Sequence, residues 1–221
     1  MTNSNIQVWN EHSKREAEKE ISESQSHIRK WLKEIPIYPW RNKLLDIGAG
    51  IGLDTKYASD LGFDAQGIEN SLEAVKIARD RGIVMSEMDM RDMLYQDEIF
   101  DICIAGGSIE HVPETENVLE EIYRVLKPNG IFLFNVPYKY SFFTPAKKIQ
   151  QWLGIWKCGY EKSFGQNKLI NLLEDNGFEV QEIKWSEIEV GTRHPVLTKI
   201  LRFMDKIIGG SHMIWMKCRK K

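Results

Sequence analysis

Apolar positions along this chain recur in two rhythms that keep exchanging places. Compact apolar runs at 43–47, 63–69, 83–88, 100–105 and 131–136 predict short, buried strands. Between them, apolar residues return at three- and four-residue spacing. Segments 53–61, 72–79 and 114–126 therefore predict helices, the first ended by Gly62 and the second near Gly82. In the third, Val118, Leu119, Ile122 and Val125 share one face. "KPNG" at 127–130 reads as a turn. Strands alternating with helices predict an α/β fold, a Rossmann-like doubly wound sheet that is mostly parallel with helices on both faces. Right-handed crossovers follow from that order.

The ends of the chain follow other patterns. Residues 10–34 are charge-rich and lack Gly and Pro, and Ala17, Ile21, Ile28, Trp31, Leu32 and Ile35 make a thin apolar stripe. A helix is expected there, ended by Pro36 and Pro39. Ser163 and Gln166 have capping-box spacing and open an expected helix through Asn176, closed by Asn176-Gly177. A strand is expected at 178–190, an amphipathic helix at 197–208, and a weakly alternating strand at 212–218 that would end the sheet as an antiparallel C-terminal strand. The expected organisation is one domain over 1–221, with 1–40 as an N-terminal helical cap and 138–164 as an aromatic lid insertion.

Composition narrows the function classes. The net charge of −2 argues against a general nucleic-acid binder. Cys103, Cys158 and Cys218 lie far apart and show no metal-ligand spacing, so reduced thiols and a cytoplasmic setting are expected, and no metal site. The first twenty residues lack the apolar core of a signal peptide, and no apolar run reaches the roughly 20 residues of a membrane span.

The candidate chemistry begins in "LLDIGAGIGLDT", residues 44–55. Glycines at 48, 50 and 52 follow the first strand, where ligands bind in an open parallel sheet. Bare backbone there lets amides approach a ligand, although a plain structural turn also accounts for glycines. The dinucleotide fingerprint needs a third glycine at 53, which is Leu53, and no phosphate-binding P-loop is present. Glu69, 21 positions after Gly48, ends the second strand and suits ribose hydroxyls. Asp89 follows the third strand; it suits an adenine amine, or else is a helix N-cap, since "DMRDM" is able to open a turn.

Taken together, LLDIGAGIG (44–52), GIENS (67–71), MDM (88–90), FDICIAGGSIEHV (100–112), EIYRVLKPNGIFLFNVP (121–137) and EKSFGQNKLINLLEDNGFEV (161–180) resemble the class I S-adenosylmethionine-dependent methyltransferases. The likeness is to the small-molecule branch that includes ubiquinone and menaquinone methyltransferases. The resemblance implies S-adenosyl-L-methionine as cofactor. It implies that Gly48, Ala49 and Gly50 wrap its methionine portion and that Asp46 orients the loop. It further implies that Glu69 holds the ribose with Asn70 beside it, and that Asp89 and Met90 read the adenine. Ala105, Gly106 or Gly107 would present a carbonyl to the methionine amine, and Trp9 or His12 would close the pocket from the N-terminal segment. "AGGSIEHV" stands where base- and glutamine-methylating relatives carry N-P-P-Y, which turns the expectation away from nucleic acid.

His111, beyond the fourth strand, is the candidate catalytic base, since imidazole titrates near neutrality; Glu110 beside it is able to serve the same way. A histidine that merely ties down the following loop is the competing reading. The lid segment 138–164 holds Tyr138, Tyr140, Phe142, Phe143, Trp152, Trp156, Tyr160 and Phe164, and five lysines (139, 147, 148, 157, 162) against one acid, Glu161. It reads either as a lid packed on the core with its lysines in solvent, or as a greasy acceptor tunnel touching a membrane surface peripherally. Lys199, Arg202 and Lys206 on the expected helix 197–208 add to the latter. The expected activity is methyl transfer to a small-molecule acceptor that is hydrophobic, aromatic or lipid-like. An NAD(P)-dependent oxidoreductase and a non-catalytic S-adenosylmethionine-binding protein are the alternatives.

Overall fold

The structure is a computed structural model and describes residues 10–11, 13, 26–40, 42–141, 143–153, 159–186 and 213–221. Its elements are α1 (His27–Glu34), β1 (Lys43–Ile47), α2 (Leu53–Leu61), β2 (Asp64–Glu69), α3 (Leu72–Asp80), β3 (Met85–Glu87), β4 (Phe100–Gly106), a 3-10 turn (Ile109–His111), α4 (Thr115–Val125), β5 (Leu126–Pro137), α5 (Phe143–Trp152), α6 (Gln166–Asp175), β6 (Phe178–Ser186) and β7 (Met213–Lys220). The expected helix 197–208, most of the N-terminal helix and residues 187–190 of the expected strand lie outside the described residues.

Among the described residues, seven strands form one sheet in the order β3-β2-β1-β4-β5-β7-β6. β1 pairs in parallel with both β2 and β4, so chain order reverses beside it. Only β7 runs antiparallel, to β5 on one side and β6 on the other. The expected doubly wound, mostly parallel sheet is the observed one. The strand near 212–218 does not end the sheet, however; it inserts between β5 and β6, and β6 forms the edge. Ile214, Met216 and Cys218 explain the inner place, because all three are buried and an edge strand would leave one side unpaired.

Each sheet face carries its own apolar cluster. Phe100, Cys103, Phe132, Phe134 and Phe178 meet Val118, Leu119, Ile122 and Val125 of α4 and Leu169 and Leu173 of α6 on one face. Leu44, Ile102, Ile104, Ile131 and Leu133 meet Ile28, Trp31 and Leu32 of α1 and Ala58 of α2 on the other. A parallel strand buried on both faces reads as a continuous apolar run, which is why these strands were legible.

Two turn readings need correction. "KPNG" does not break the chain before a strand; it lies inside β5 as a bulge, with Asn129 at φ 61°. Phe100 pairs with Leu126 and Ile102 with Ile131, so four residues bulge opposite Asp101. Lys127 pins that bulge with Nζ 2.9 and 3.0 Å from the Asp101 carboxylate oxygens. Likewise Ser163 does not cap α6; Gly165 does, and no side chain bonds there. Phe164 is already bound to Pro137 and Lys139 through the main chain at 2.9 Å each, so the helix starts only after it.

Phe134 is fully buried and stacks on Phe132 at 4.5 Å between centroids. Phe134→Ala is expected to lower unfolding free energy by about 3–5 kcal/mol in urea titration.

Candidate functional site

A cavity of about 280 Å³ opens beyond the carboxyl ends of β1 and β4, where the strand order reverses. That size stands just under the roughly 300–1,000 Å³ of ordinary small-molecule sites. Gly48, Ala49, Gly50, Glu69, Asn70, Asp89, Met90, Gly106 and His111 all line it. Among the described residues expected at the site, Asp46, Ala105 and Glu110 do not. Ser13, Met88 and Ser108 line it as well.

The loop after β1 has its shape for stated reasons. Gly48 adopts φ +67°, and a Cβ there would run into the Ser108 side chain. Ser108 is itself tied to the end of β1, donating to the Ile47 carbonyl at 2.7 Å. Gly50 adopts φ +55° with nothing within 4 Å of where a Cβ would stand, so its missing side chain leaves open space. Gly52 caps α2 in the left-handed region, with Ile83 3.0 Å from its would-be Cβ. The close packing that a dinucleotide loop assigns to its third glycine is thus made one position before Leu53.

Glu69 is bound into this loop. Its Oε2 accepts from the Gly50 amide at 3.0 Å, and Oε1 accepts from the amides of Asn70 at 2.8 Å and Ser71 at 2.9 Å. A carboxylate offers about four lone-pair sites, so three are taken. One further donor fits as the loop stands; two ribose hydroxyls require the Gly50 amide to let go. Asp89 is engaged by Arg91, whose amide lies 3.0 Å from Oδ1 and whose terminal nitrogen lies 2.6 Å from Oδ2. Those bonds hold its carboxyl below the usual carboxylate range. Asp89 thus closes a turn, although no helix follows it as an N-cap would require, and it lines the cavity.

Asp46 sits beneath the loop, buried, and accepts from Thr55 Oγ1 at 2.7 Å. That bond joins the end of β1 to the first turn of α2. Burial pushes the Asp46 carboxyl up to about 8, and the charge of Asp54 adds to the rise. Arg29 of α1 reaches Asp54 with Nε at 2.5 Å and stacks over Tyr57 at 4.8 Å, bringing the N-terminal helix against the cavity wall. Asn10 Oδ1 accepts from Ser71 Oγ at 2.6 Å, and Ser13 is buried at the cavity. Trp9 and His12 lie outside the described residues.

At the far end, His111 Nδ1 stands 2.7 Å from the Tyr160 carbonyl. A carbonyl brings no proton, so Nδ1 donates and the lone pair of the neutral ring lies on Nε2. Glu110 is buried, its Oε2 has no hydrogen-bond partner, and burial pushes its carboxyl up to about 8. The packed-lid reading of 138–164 put its lysines in solvent, and Lys147 departs from it. It is buried and paired with Glu161, the segment's one acid. α5 is an element the periodicity did not reveal. Phe142, Trp156 and Lys157 lie outside the described residues.

Thr55, Ser108, Arg29 and Lys147 escaped the sequence reading. Only Arg29 left a trace, as a cation set among the apolar stripe of α1. The others act through partners 9, 61 and 14 positions away.

With this geometry in view, known proteins define the class. Residues 45–134 match the family described as "Methyltransferase domain". The chain is 31% identical over 156 residues to the mitochondrial ubiquinone biosynthesis O-methyltransferase of Rattus norvegicus, covering 64% of this chain and 45% of that one. The counterpart from Pelagibacter ubique is 28% identical, with 66% and 65% covered. The chain therefore spans less than half the length of the rat relative. A solved S-adenosylmethionine-dependent methyltransferase from Thermotoga maritima superposes with a TM-score of 0.65 at 21% identity, 87% of each chain covered. Residues 45–134 thus match a methyltransferase domain, and the fold is that of solved S-adenosylmethionine-dependent methyltransferases, whose cofactor is S-adenosylmethionine. The site fits that cofactor: Gly50 leaves open space beside a carboxylate, inside a cavity at the strand switch.

Two measurements check the loop. Gly48→Ala is expected to weaken S-adenosylhomocysteine binding at least roughly tenfold by calorimetry, through both strain and the Ser108 contact. Adding Ser108→Gly should recover part of the loss. Asp46 has a folded pKa of about 8 against 3.8 unfolded, so the stability tied to it is present below pH 4 and is lost as pH rises through 8. Asp46→Asn should make the fall in melting temperature between pH 4 and 8 shallower; an unchanged slope would contradict the buried carboxyl.

Proposed function

We propose that this chain transfers the methyl group of S-adenosylmethionine to an oxygen of a hydrophobic, aromatic small molecule. One observation carries the reading: a single cavity gathers the glycine loop, Glu69 and His111 at the strand switch. The names of the relatives in ubiquinone biosynthesis support an O-linked acceptor. Bound S-adenosylmethionine supplies an electrophilic methyl group on a sulfonium sulfur. The protein's share is binding and alignment, which in such reactions contributes roughly 7–11 kcal/mol.

In this reading Gly48, Ala49 and Gly50 surround the methionine portion, and Asp46 holds their loop through Thr55. Glu69 takes a ribose hydroxyl with Asn70 beside it. Met90 and Asp89 border the adenine, and Gly106 offers its carbonyl to the methionine amine. The N-terminal cap, through Ser13 and α1, covers the cofactor, while 138–164 covers the acceptor. His111 accepts the acceptor's proton on Nε2 as the oxygen–methyl bond forms.

A peripheral membrane contact is a second part of the proposal. Tyr140 is 70% exposed, Trp152 85% and Leu153 55%, all within the lid segment. Exposed apolar side chains in a segment that also carries lysines suit a lipid interface. No helix among the described residues is long and apolar enough to cross a membrane.

Tritium from methyl-labelled S-adenosylmethionine should appear in solvent-extractable 4-hexylcatechol. Label in protein or RNA instead would refute the acceptor class, and binding without transfer would point to a non-catalytic protein. His111→Ala should lower turnover roughly 10²–10⁴-fold, the usual worth of a general base, with S-adenosylhomocysteine affinity unchanged. In flotation, the chain should rise with anionic vesicles, and Trp152→Ala/Leu153→Ala should abolish this.

A further inference from the structure

Residues 160–162 lie in no helix or strand, yet each is tied to the site. The Tyr160 carbonyl accepts from His111 Nδ1 at 2.7 Å. Lys162 donates its amide to the Glu110 carbonyl at 2.9 Å. Between them, Glu161 receives Lys147 of α5 twice, on its main-chain oxygen at 2.8 Å and on Oε1 at 2.5 Å. The two side chains are only 7% and 14% exposed, so water screens the pair little.

That arrangement bears on the histidine. Neutral imidazole in water favours the proton on Nε2, which would leave the lone pair on the wrong nitrogen. The Tyr160 carbonyl reverses this preference, but only if it stays in place. No sheet ladder fixes 160–162, and a carbonyl on an irregular segment is placed by whatever holds its neighbours. Glu110 faces the same pair from the 3-10 turn. Burial pushes its carboxyl up to about 8, with Glu161 adding to the rise and Lys147 opposing it.

We propose that Lys147 is a positioning residue: its ion pair with Glu161 holds 160–162 so that the Tyr160 carbonyl fixes His111 as the Nδ1–H tautomer. The lone pair needed to take the acceptor's proton then lies on Nε2 before the acceptor arrives. This rests on the reading of His111 as the base. It assigns to the lid segment a part in preparing the base as well as covering the acceptor.

The test uses the full chain with S-adenosylhomocysteine bound and ¹⁵N-labelled histidine. In the wild type, the ¹⁵N–¹H correlation of His111 should show a protonated Nδ1. Lys147→Met keeps the aliphatic stem and removes the charge; it should move the ring mainly to the Nε2–H form. S-Adenosylhomocysteine affinity should stay within about twofold, while turnover of 4-hexylcatechol falls roughly tenfold or more, as misplacement of a catalytic group does. Lys147→Arg should restore both spectrum and turnover. Should Lys147→Met not fold, Glu161→Gln removes the opposite charge at nearly constant volume and should give the same spectrum. An Nδ1–H ring in the charge-deleted variant overturns the proposal. The two readings separate cleanly: full turnover in His111→Ala removes the base, whereas the tautomer spectrum decides the role of Lys147 irrespective of turnover.

Discussion

The parallel pairing of β1 with both β2 and β4 is the constraint on which the site depends. It sends successive strands outward in opposite directions and leaves the ends of β1 and β4 side by side with no crossover above them. The cavity is the space this leaves. The contact between Gly48 and Ser108 closes its floor, because Ser108 follows β4 and bonds to the last carbonyl of β1. A side chain at 48 would push the two strand ends apart just where a ligand must touch both.

Two buried carboxyl groups stand next to residues that line this cavity and behave in parallel ways. Asp46 beneath the glycine loop and Glu110 beside residues 160–162 are both pushed up to about 8, in each case chiefly by burial. Each has a neighbouring carboxylate that adds to the rise, Asp54 for one and Glu161 for the other. Yet their bonding differs. Asp46 is satisfied by Thr55 and stiffens the loop, whereas Glu110 keeps an oxygen without a partner. Two such groups lower stability as pH rises toward 8, a cost tolerated at functional sites more readily than elsewhere.

Electrostatics at the glycine-loop end of the cavity is arranged through the main chain. Three amides converge on Glu69, so its position follows from the path of the backbone at 50 and 70–71 and needs no partner cation. Arg29 and Arg91 are spent on Asp54 and Asp89 instead. The N-terminal helix is thereby joined to the wall of the cavity, and the loop after β3 is folded back on itself beside it.

The alternation of apolar runs with helical spacing was enough to read the parallel sheet, since strands buried on both faces carry mostly apolar residues with few polar positions to blur the pattern. The glycines at 48, 50 and 52, Glu69, Asp89 and His111 were legible for a related reason: they stand at strand ends, where short motifs specify local backbone shape. The place of β7 was not legible, because strand order depends on which edges remain unpaired once the rest of the sheet exists. Nor was the bulge at "KPNG", whose turn residues serve a strand that continues. Ser108 against Gly48, Thr55 beneath Asp46, and Lys147 with Glu161 became visible only in three dimensions. Each joins separate elements, and neither periodicity nor motif spacing carries information about which buried polar groups will meet. Sequence alone determined the fold class and the glycine loop after the first strand; the tertiary structure decided which charges are buried, which carboxyls are pushed up by burial, and which nitrogen of His111 meets a carbonyl.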